Sequence, residues 1–198
     1  MAAMSLSLAR CVEAVARLLD GCGPLEPVRL CMSGRDVQAE VCASGPAASA
    51  SMARLAATTG SEAAGQTDGC DDGVLTVDLG EELVLVAAVD APVRGAVPGV
   101  RSTSTLAAAE LLRTLAPWTA VLDQDLLRGA ELWVEDDGRD FTVRLLATAA
   151  RGDDLERVAA AAGAGLEQVR TRRTDSGLDG HGSLPCGRPV HLAVVCLS

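Results

Sequence analysis

Apolar side chains recur with helical spacing near the start of the chain. They fall on one face when residues 5–20 are placed on a helix. Gly21, Gly23 and Pro24 follow directly, and such residues are typical of a helix end. We therefore predict a first helix over 5–20 that buries one apolar stripe. The stripe consists of Leu8, Cys11, Val12, Val15, Leu18 and Leu19.

Alternation of apolar and polar residues predicts three β-hairpins. The strands lie at 27–33 and 36–43, within 74–89, and at 131–135 and 141–147. An Asp-Gly pair marks the third turn, and this dipeptide favours the tight turns of hairpins. The first and third turns share the sequence Gly-Arg-Asp, which is weak support for an internal repeat.

Two further helices follow from the same reasoning. One begins near Thr103 and is interrupted at Pro117, because proline cannot donate the backbone hydrogen bond of a helix interior. The other opens with Asp153 and Glu156 in the spacing of a capping box and continues to Val169. Its predicted buried stripe is Leu155, Val158, Ala159, Ala162, Leu166 and Val169.

The remaining segments are predicted to be irregular. Residues 44–72 are rich in Ala, Ser, Gly and Thr, and we expect a flexible insertion there with one short helix around 52–58. A polar, Gly-rich linker from residue 171 leads to one last strand at 190–197. We therefore predict one α+β domain over 1–170, an antiparallel sheet with its helices on one side, followed by a linker and an extra C-terminal strand over 171–198.

The charge balance disfavours one class of partner. Seventeen basic residues, all arginine, stand against 27 acidic residues, which gives a net charge of −10. Nucleic-acid binding depends on clustered cations that neutralise phosphates, so we expect no nucleic-acid partner. The one basic cluster, at 170–173, is interpreted as solvated.

The apolar runs are too short for insertion into a membrane. A spanning helix needs about 20 apolar residues, and no run of this length occurs. Arg10, Glu13 and Arg17 interrupt the first apolar segment, unlike the core of a signal peptide. The expected location is the cytoplasm.

Side chains suited to catalysis or cofactor binding are few. The chain has two histidines and none of the common nucleotide-binding or nucleophile motifs, so we expect neither an enzyme nor a cofactor. Seven cysteines are interpreted as free thiols. The spacing of His181, Cys186, His191 and Cys196 suggests zinc, but His191 and Cys196 would point to opposite faces of one strand, so we expect no metal site.

Residues 104–170 resemble the second half of the class I type III secretion chaperones, the CesT/Tir-chaperone-like family. In that family a Leu-rich helix leads to a strand, an acidic-Gly turn, a second strand and an acidic-capped helix. The matching parts are Leu111-Leu112-x-x-Leu115, Glu131–Glu135, Asp136–Arg139, Phe141–Ala147 and Asp153–Val169. The resemblance implies an α-βββ(β)-α-ββ-α fold and a cytoplasmic homodimer that binds the N-terminal region of secreted effectors. The bound region would stay extended and competent for export, and no cofactor would be needed.

Two sets of site residues follow from the resemblance and the apolar pattern. The helix at 104–115 and the strand at 131–135 carry more apolar surface than we expect one sheet face to bury, and this region forms the family's dimer interface. The predicted interface residues are Leu106, Leu111, Leu112, Leu115 and Trp133. The predicted client-binding residues, expected to be exposed near the first helix and hairpin, are Leu6, Leu8 and Leu30.

Two alternatives remain open at this point. The order of the first helix, the two hairpins and a long helix over 104–128 also fits a GAF-like ligand-sensing domain. An oligomeric protein of the YbjN-like fold with no secretion client is the other.

Overall fold

The computed structural model describes residues 8–60, 74–80, 83–90, 104–122, 129–136 and 140–196. These residues form one nine-stranded sheet and four α-helices. The helices are α1 (Leu8–Cys22), α2 (Gly45–Thr59), α3 (Ser104–Val121) and α4 (Leu155–Ala162). The strands are β1 (Val28–Ser33), β2 (Asp36–Cys42), β3 (Leu75–Gly80), β4 (Leu83–Asp90), β5 (Glu131–Asp136), β6 (Phe141–Ala149), β7 (Glu167–Thr174), β8 (Gly177–Ser183) and β9 (Pro189–Cys196).

The sheet is mixed, although we predicted an antiparallel one. Its strand order is β3-β4-β2-β1-β5-β6-β9-β8-β7. The three predicted hairpins are confirmed as the antiparallel pairs β1–β2, β3–β4 and β5–β6. The pairs β2–β4 and β6–β9 are parallel. Parallel strands need a long crossover connection. The connection from β2 to β4 contains α2, and the connection from β6 to β9 contains α4. The hairpin pattern in the sequence does not predict which strands pair across such a connection.

The two halves of the chain have the same connectivity. The series α1-β1-β2-α2-β3-β4 corresponds to α3-β5-β6-α4-β8-β9, with β7 as an additional strand. The two halves meet where β1 pairs antiparallel with β5 and α1 packs on α3. The buried residues of the two helices also match in order, since Cys11, Val12 and Val15 of α1 correspond to Leu111, Leu112 and Leu115 of α3. The sheet therefore has a pseudo-two-fold axis within one chain.

All four helices pack on one face of the sheet. Residues of that face alternate along each strand, as in Val28, Leu30 and Met32 of β1, and they join the helices in a single apolar core. The thiols of Cys11, Cys31 and Cys42 are free, as predicted, and they are buried. The largest side chains that are almost completely buried are Leu19, Leu30, Met32, Leu55, Leu83, Leu85, Leu112, Leu115, Leu132, Leu145, Leu184 and Leu192.

The helix predicted around 52–58 is confirmed but longer than we expected, so the first half of the predicted insertion at 44–72 is not irregular. Residues 45–59 form the helix α2, which begins after Ser44 and ends at Gly60 in the left-handed conformation. This helix packs on the core through Leu55 and the small side chains of Ala48, Ser51 and Ala56, which is why the sequence shows no long apolar stripe there. The remainder, 61–73, lies outside the described residues.

Pro117 does not interrupt α3, which continues to Val121. Trp118 and Leu122 are buried beyond the proline, 3% and 4% exposed. Their burial compensates for the one backbone hydrogen bond that proline cannot donate.

The C-terminal region departs most from the prediction. The last helix ends at Ala162 rather than Val169, because Gly163 and Gly165 follow and Gly165 has a φ of +81°. A 3-10 turn over Gly152–Asp154 precedes α4, and no side chain caps the helix. The predicted linker is the β7–β8 hairpin, so the boundary at residue 170 falls inside a strand. The predicted last strand is confirmed as β9.

Candidate functional site

The face of the sheet opposite the helices carries no helix of the described residues, and we call it the open face. Its side chains alternate with the buried ones along every strand. In register across the centre, Cys31 lies opposite Trp133, and Trp133 lies opposite Arg144. The side chains of the open face used below are Arg29, Cys31, Asp36, Glu40, Asp78, Asp90, Glu131, Trp133, Glu135, Arg144, Leu146, Glu167, Arg170, Arg172, Asp179, His181, His191 and Ala193.

Arg29 on β1 is held by carboxylates from three other strands, β2, β4 and β5. Its Nη1 donates to Glu40 Oε2 at 2.7 Å and to Asp90 Oδ2 at 2.8 Å, and its Nε lies 3.8 Å from Glu135 Oε1. The hydrogen bond to Glu40 is the largest of the effects that raise the pKa of Arg29. One cation is thus shared among three anions, and this part of the face remains acidic.

Trp133 and Cys31 form the apolar centre of the open face. Trp133 is half-buried, and its indole N–H donates to Glu131 Oε2 at 3.3 Å. Burial, together with the charges of Glu131 and Glu40, raises the pKa of Cys31 to about 11. The thiol is therefore protonated at neutral pH and packs as a small apolar group.

A row of basic side chains crosses the other part of the open face. Arg144 of β6, His191 of β9, His181 of β8 and Arg170 of β7 are consecutive Cα partners, and all four are exposed. Within the described residues, no carboxylate lies within salt-bridge distance of Arg144 or Arg170. We call these four residues the basic row.

The open face is therefore electrostatically divided. On β3, β4, β2, β1 and β5 its described charges are six carboxylates and the single cation Arg29. On β6–β9 they are the basic row, Arg172 and two carboxylates. The six carboxylates are Asp36, Glu40, Asp78, Asp90, Glu131 and Glu135, and the two are Glu167 and Asp179.

The predicted client-binding residues are not where we expected them. Leu8 is 5% exposed and Leu30 is 1% exposed. The expectation that they are exposed is wrong, because Leu30 lies on the helix-facing side of β1 and Leu8 contributes to the core under α1. Leu6 lies outside the described residues.

The predicted dimer residues are mostly buried within one chain. Leu111, Leu112 and Leu115 are 4%, 0% and 0% exposed, and α3 packs against α1. The prediction that they leave apolar surface uncovered is wrong, because the first half of the same chain covers it. Trp133 does lie on the open face, whereas nothing is described of the Leu106 side chain.

The four residues considered for zinc lie apart. His181 and His191 are partners on the open face, Cys186 is exposed in the β8–β9 turn, and Cys196 packs against the core. Among the described residues no group of three or more His, Cys, Asp or Glu side chains is arranged to hold a metal ion.

A cleft of about 530 Å³ lies on the helical side of the sheet, between α3 and the start of β6 and β9. Arg188 lines it and donates to Asp140 Oδ1 at 2.9 Å. Hydrogen bonds from Arg188 and from the Phe141 backbone lower the pKa of Asp140. Among the described residues that line it, the apolar Leu111 and Phe141 lie beside the polar Glu110, Thr114, Asp140 and Arg188. This volume is in the range of ligand pockets, so the ligand-sensing alternative stays a prediction.

No known protein family, curated protein or solved structure matches the chain. Among the described residues, no helix has both the length and the apolar character needed to cross a membrane.

Proposed function

We propose that this chain is a polypeptide-binding protein that holds a segment of a partner protein in extended form on its open face. The observation that carries the proposal is that no described helix covers this face, although its centre holds Trp133 and Leu146. Both side chains are half-buried, so each retains apolar surface in contact with solvent. Exposed aromatic and aliphatic groups surrounded by polar residues are typical of protein-interaction sites.

The resemblance to class I type III secretion chaperones supports the same kind of partner. On that basis, the chain acts in the cytoplasm, binds the N-terminal region of an effector and keeps it extended for export. The client site differs from the one we predicted from the sequence, since Leu8 and Leu30 belong to the core.

A displayed peptide library tests the proposal. The full chain is immobilised, random 16-residue peptides are selected on it, and the affinities of enriched peptides are measured by fluorescence anisotropy. Ala193→Glu places a longer charged side chain at the centre of the open face, because Ala193 lies between Leu146 and Asp179 in register. Steric and charge interference there should weaken binding at least about tenfold, equivalent to about 1.4 kcal/mol.

Ala120→Glu is the matched control. Ala120 is exposed on α3, on the opposite side of the sheet, so the same substitution should leave peptide affinity unchanged. Circular dichroism verifies that both variants are folded. The proposal fails if no peptide is enriched, or if Ala193→Glu and Ala120→Glu bind the selected peptides equally well. Selected peptides should also remain extended when bound, which their amide chemical shifts report.

A further inference from the structure

We infer that the segment bound on the open face is acidic, with carboxylates that contact Arg144 and Arg170 and an apolar residue that contacts Trp133. The inference rests on the proposed function and specifies the chemistry of its partner. Arg144 and Arg170 are exposed and have no carboxylate of the described residues within salt-bridge distance, whereas Arg29 on the same face is shared by three carboxylates. The basic row is thus the part of this face with uncompensated positive charge.

The register fixes the spacing of the recognition groups. Trp133, Arg144, His191, His181 and Arg170 belong to five adjacent strands. Neighbouring strands lie about 4.8 Å apart, so Arg144 is about 5 Å from the position of Trp133 and Arg170 about 19 Å from it, measured along the row.

An extended peptide matches this spacing. Side chains on one side of an extended peptide repeat about every 6.8 Å. An apolar residue placed on Trp133 therefore puts the side chain two residues later near Arg144, and the side chain six residues later near Arg170. The residue between these two, four after the apolar one, faces His191 and His181. A carboxylate at the second and sixth positions would form a charge-assisted hydrogen bond with each arginine.

The acidic part of the open face determines the direction of the segment. Glu131 and Glu135 flank Trp133 on β5, and the row continues beyond Trp133 over the uncharged Cys31 and Gln38. The two carboxylates repel a carboxylate of the segment and leave that end to apolar or basic residues. The same carboxylates disfavour nucleic acid, because a phosphate chain longer than the basic row would pass between them. An acidic polypeptide with one apolar anchor fits both parts of the face.

Two fluorescein-labelled peptides on an otherwise Ser/Thr background test the inference with the full chain. The acidic peptide has Leu followed two and six residues later by Asp, and the basic peptide has Lys at those two positions. We expect the acidic peptide to bind at least about tenfold more tightly. The double variant Arg144→Gln, Arg170→Gln should remove most of that preference, as expected for two solvent-exposed ion pairs.

Arg173→Gln is the matched control. Arg173 is on the same strand as Arg170, but its partner is Leu178, so its side chain is on the other side of the sheet. This variant should bind the acidic peptide like the unmodified chain. If the double variant does not fold, the affinity of the unmodified chain for the acidic peptide is measured at several salt concentrations. Salt must weaken this binding if the arginines contact the carboxylates.

The outcomes separate this inference from the proposed function. Equal affinity for the acidic and basic peptides, or acidic-peptide affinity that salt leaves unchanged, overturns the inference. If the library then still yields peptides that depend on Ala193, the proposed function stands. If a fifteen-residue oligothymidylate binds with the same arginine dependence and displaces the acidic peptide, the row is a nucleic-acid site and the inference is overturned. If no peptide binds in any format, both are wrong.

Discussion

The burial of Cys11 predicts that the folded chain loses stability in mild alkali. Cys11 is 0% exposed in α1, and this burial, with smaller effects of Asp36 and Cys31, raises its pKa from 9.0 to about 12. In the unfolded chain the same thiol ionises near its ordinary pKa. The unfolded state therefore releases a proton that the folded state retains, and unfolding becomes more favourable as pH rises.

The magnitude follows from the two pKa values. The contribution of Cys11 is fully present below about pH 9 and is lost progressively up to about pH 12. Between about pH 8 and about pH 10, one thiol that remains protonated only when folded lowers the free energy of unfolding by about 1.4 kcal/mol. The pKa values of Cys22, Cys31 and Cys42 are also raised, so their effects have the same sign.

This sequence allows a clean measurement, because it contains no tyrosine and no lysine. Cysteines are therefore the side chains that titrate between about pH 8 and pH 11. We would measure urea unfolding by tryptophan fluorescence at several pH values in this range, with a phosphine reductant present. The free energy of unfolding should fall by at least about 1.4 kcal/mol from pH 8 to pH 10.

Cys11→Ala provides the control. The free energy of unfolding of this variant at pH 8 should be somewhat lower than that of the unmodified chain. Its decrease between pH 8 and pH 10 should be smaller than that of the unmodified chain by about 1.4 kcal/mol. Identical pH profiles for the two proteins would show that Cys11 ionises as readily in the folded chain as in the unfolded one. The burial of α1 against α3 would then be wrong.

Two further pairs of substitutions test the packing of the halves and of the C-terminal hairpin. Leu112→Ala, at the α1–α3 contact, should lower the free energy of unfolding in urea by about 2–5 kcal/mol. Leu146→Ala on the open face should lower it by less than half as much, because Leu146 is only half-buried. Equal losses of stability would contradict the assignment of the two faces. Gly177→Ala should lower the free energy of unfolding by about 1–3 kcal/mol in the same assay, because an added Cβ overlaps the carbonyl oxygen of Val194. Gly152→Ala should be nearly neutral, because a Cβ at Gly152 meets no atom within 4 Å. Unchanged stability of Gly177→Ala would argue against the β8–β9 pairing.

The candidate site could be read from the sequence only in part. Alternation in β1 and β5 places Cys31 and Trp133 on one face of their strands, and this is visible without a structure. Which face is covered is not visible, so Leu30 was mistaken for a client-binding residue. The basic row was missed because Arg144, Arg170, His181 and His191 come from four different strands. Parallel pairing of β6 with β9 aligns them, and no local pattern encodes a pairing between distant strands.

Local patterns by themselves determined the first helix, the three hairpins and the last strand. These elements depend on residue spacing and turn chemistry within about twenty residues, which the sequence displays directly. Tertiary structure decided where α3 and α4 end. Burial of Trp118 extends α3 past Pro117, and pairing with β8 makes residues 167–174 a strand rather than the end of α4. It also decided that α3 packs against α1 of the same chain. Leucine-rich helices present similar apolar faces to any partner helix. The β1–β5 pairing, together with the covalent connection between the halves, makes α1 of the same chain the partner of α3.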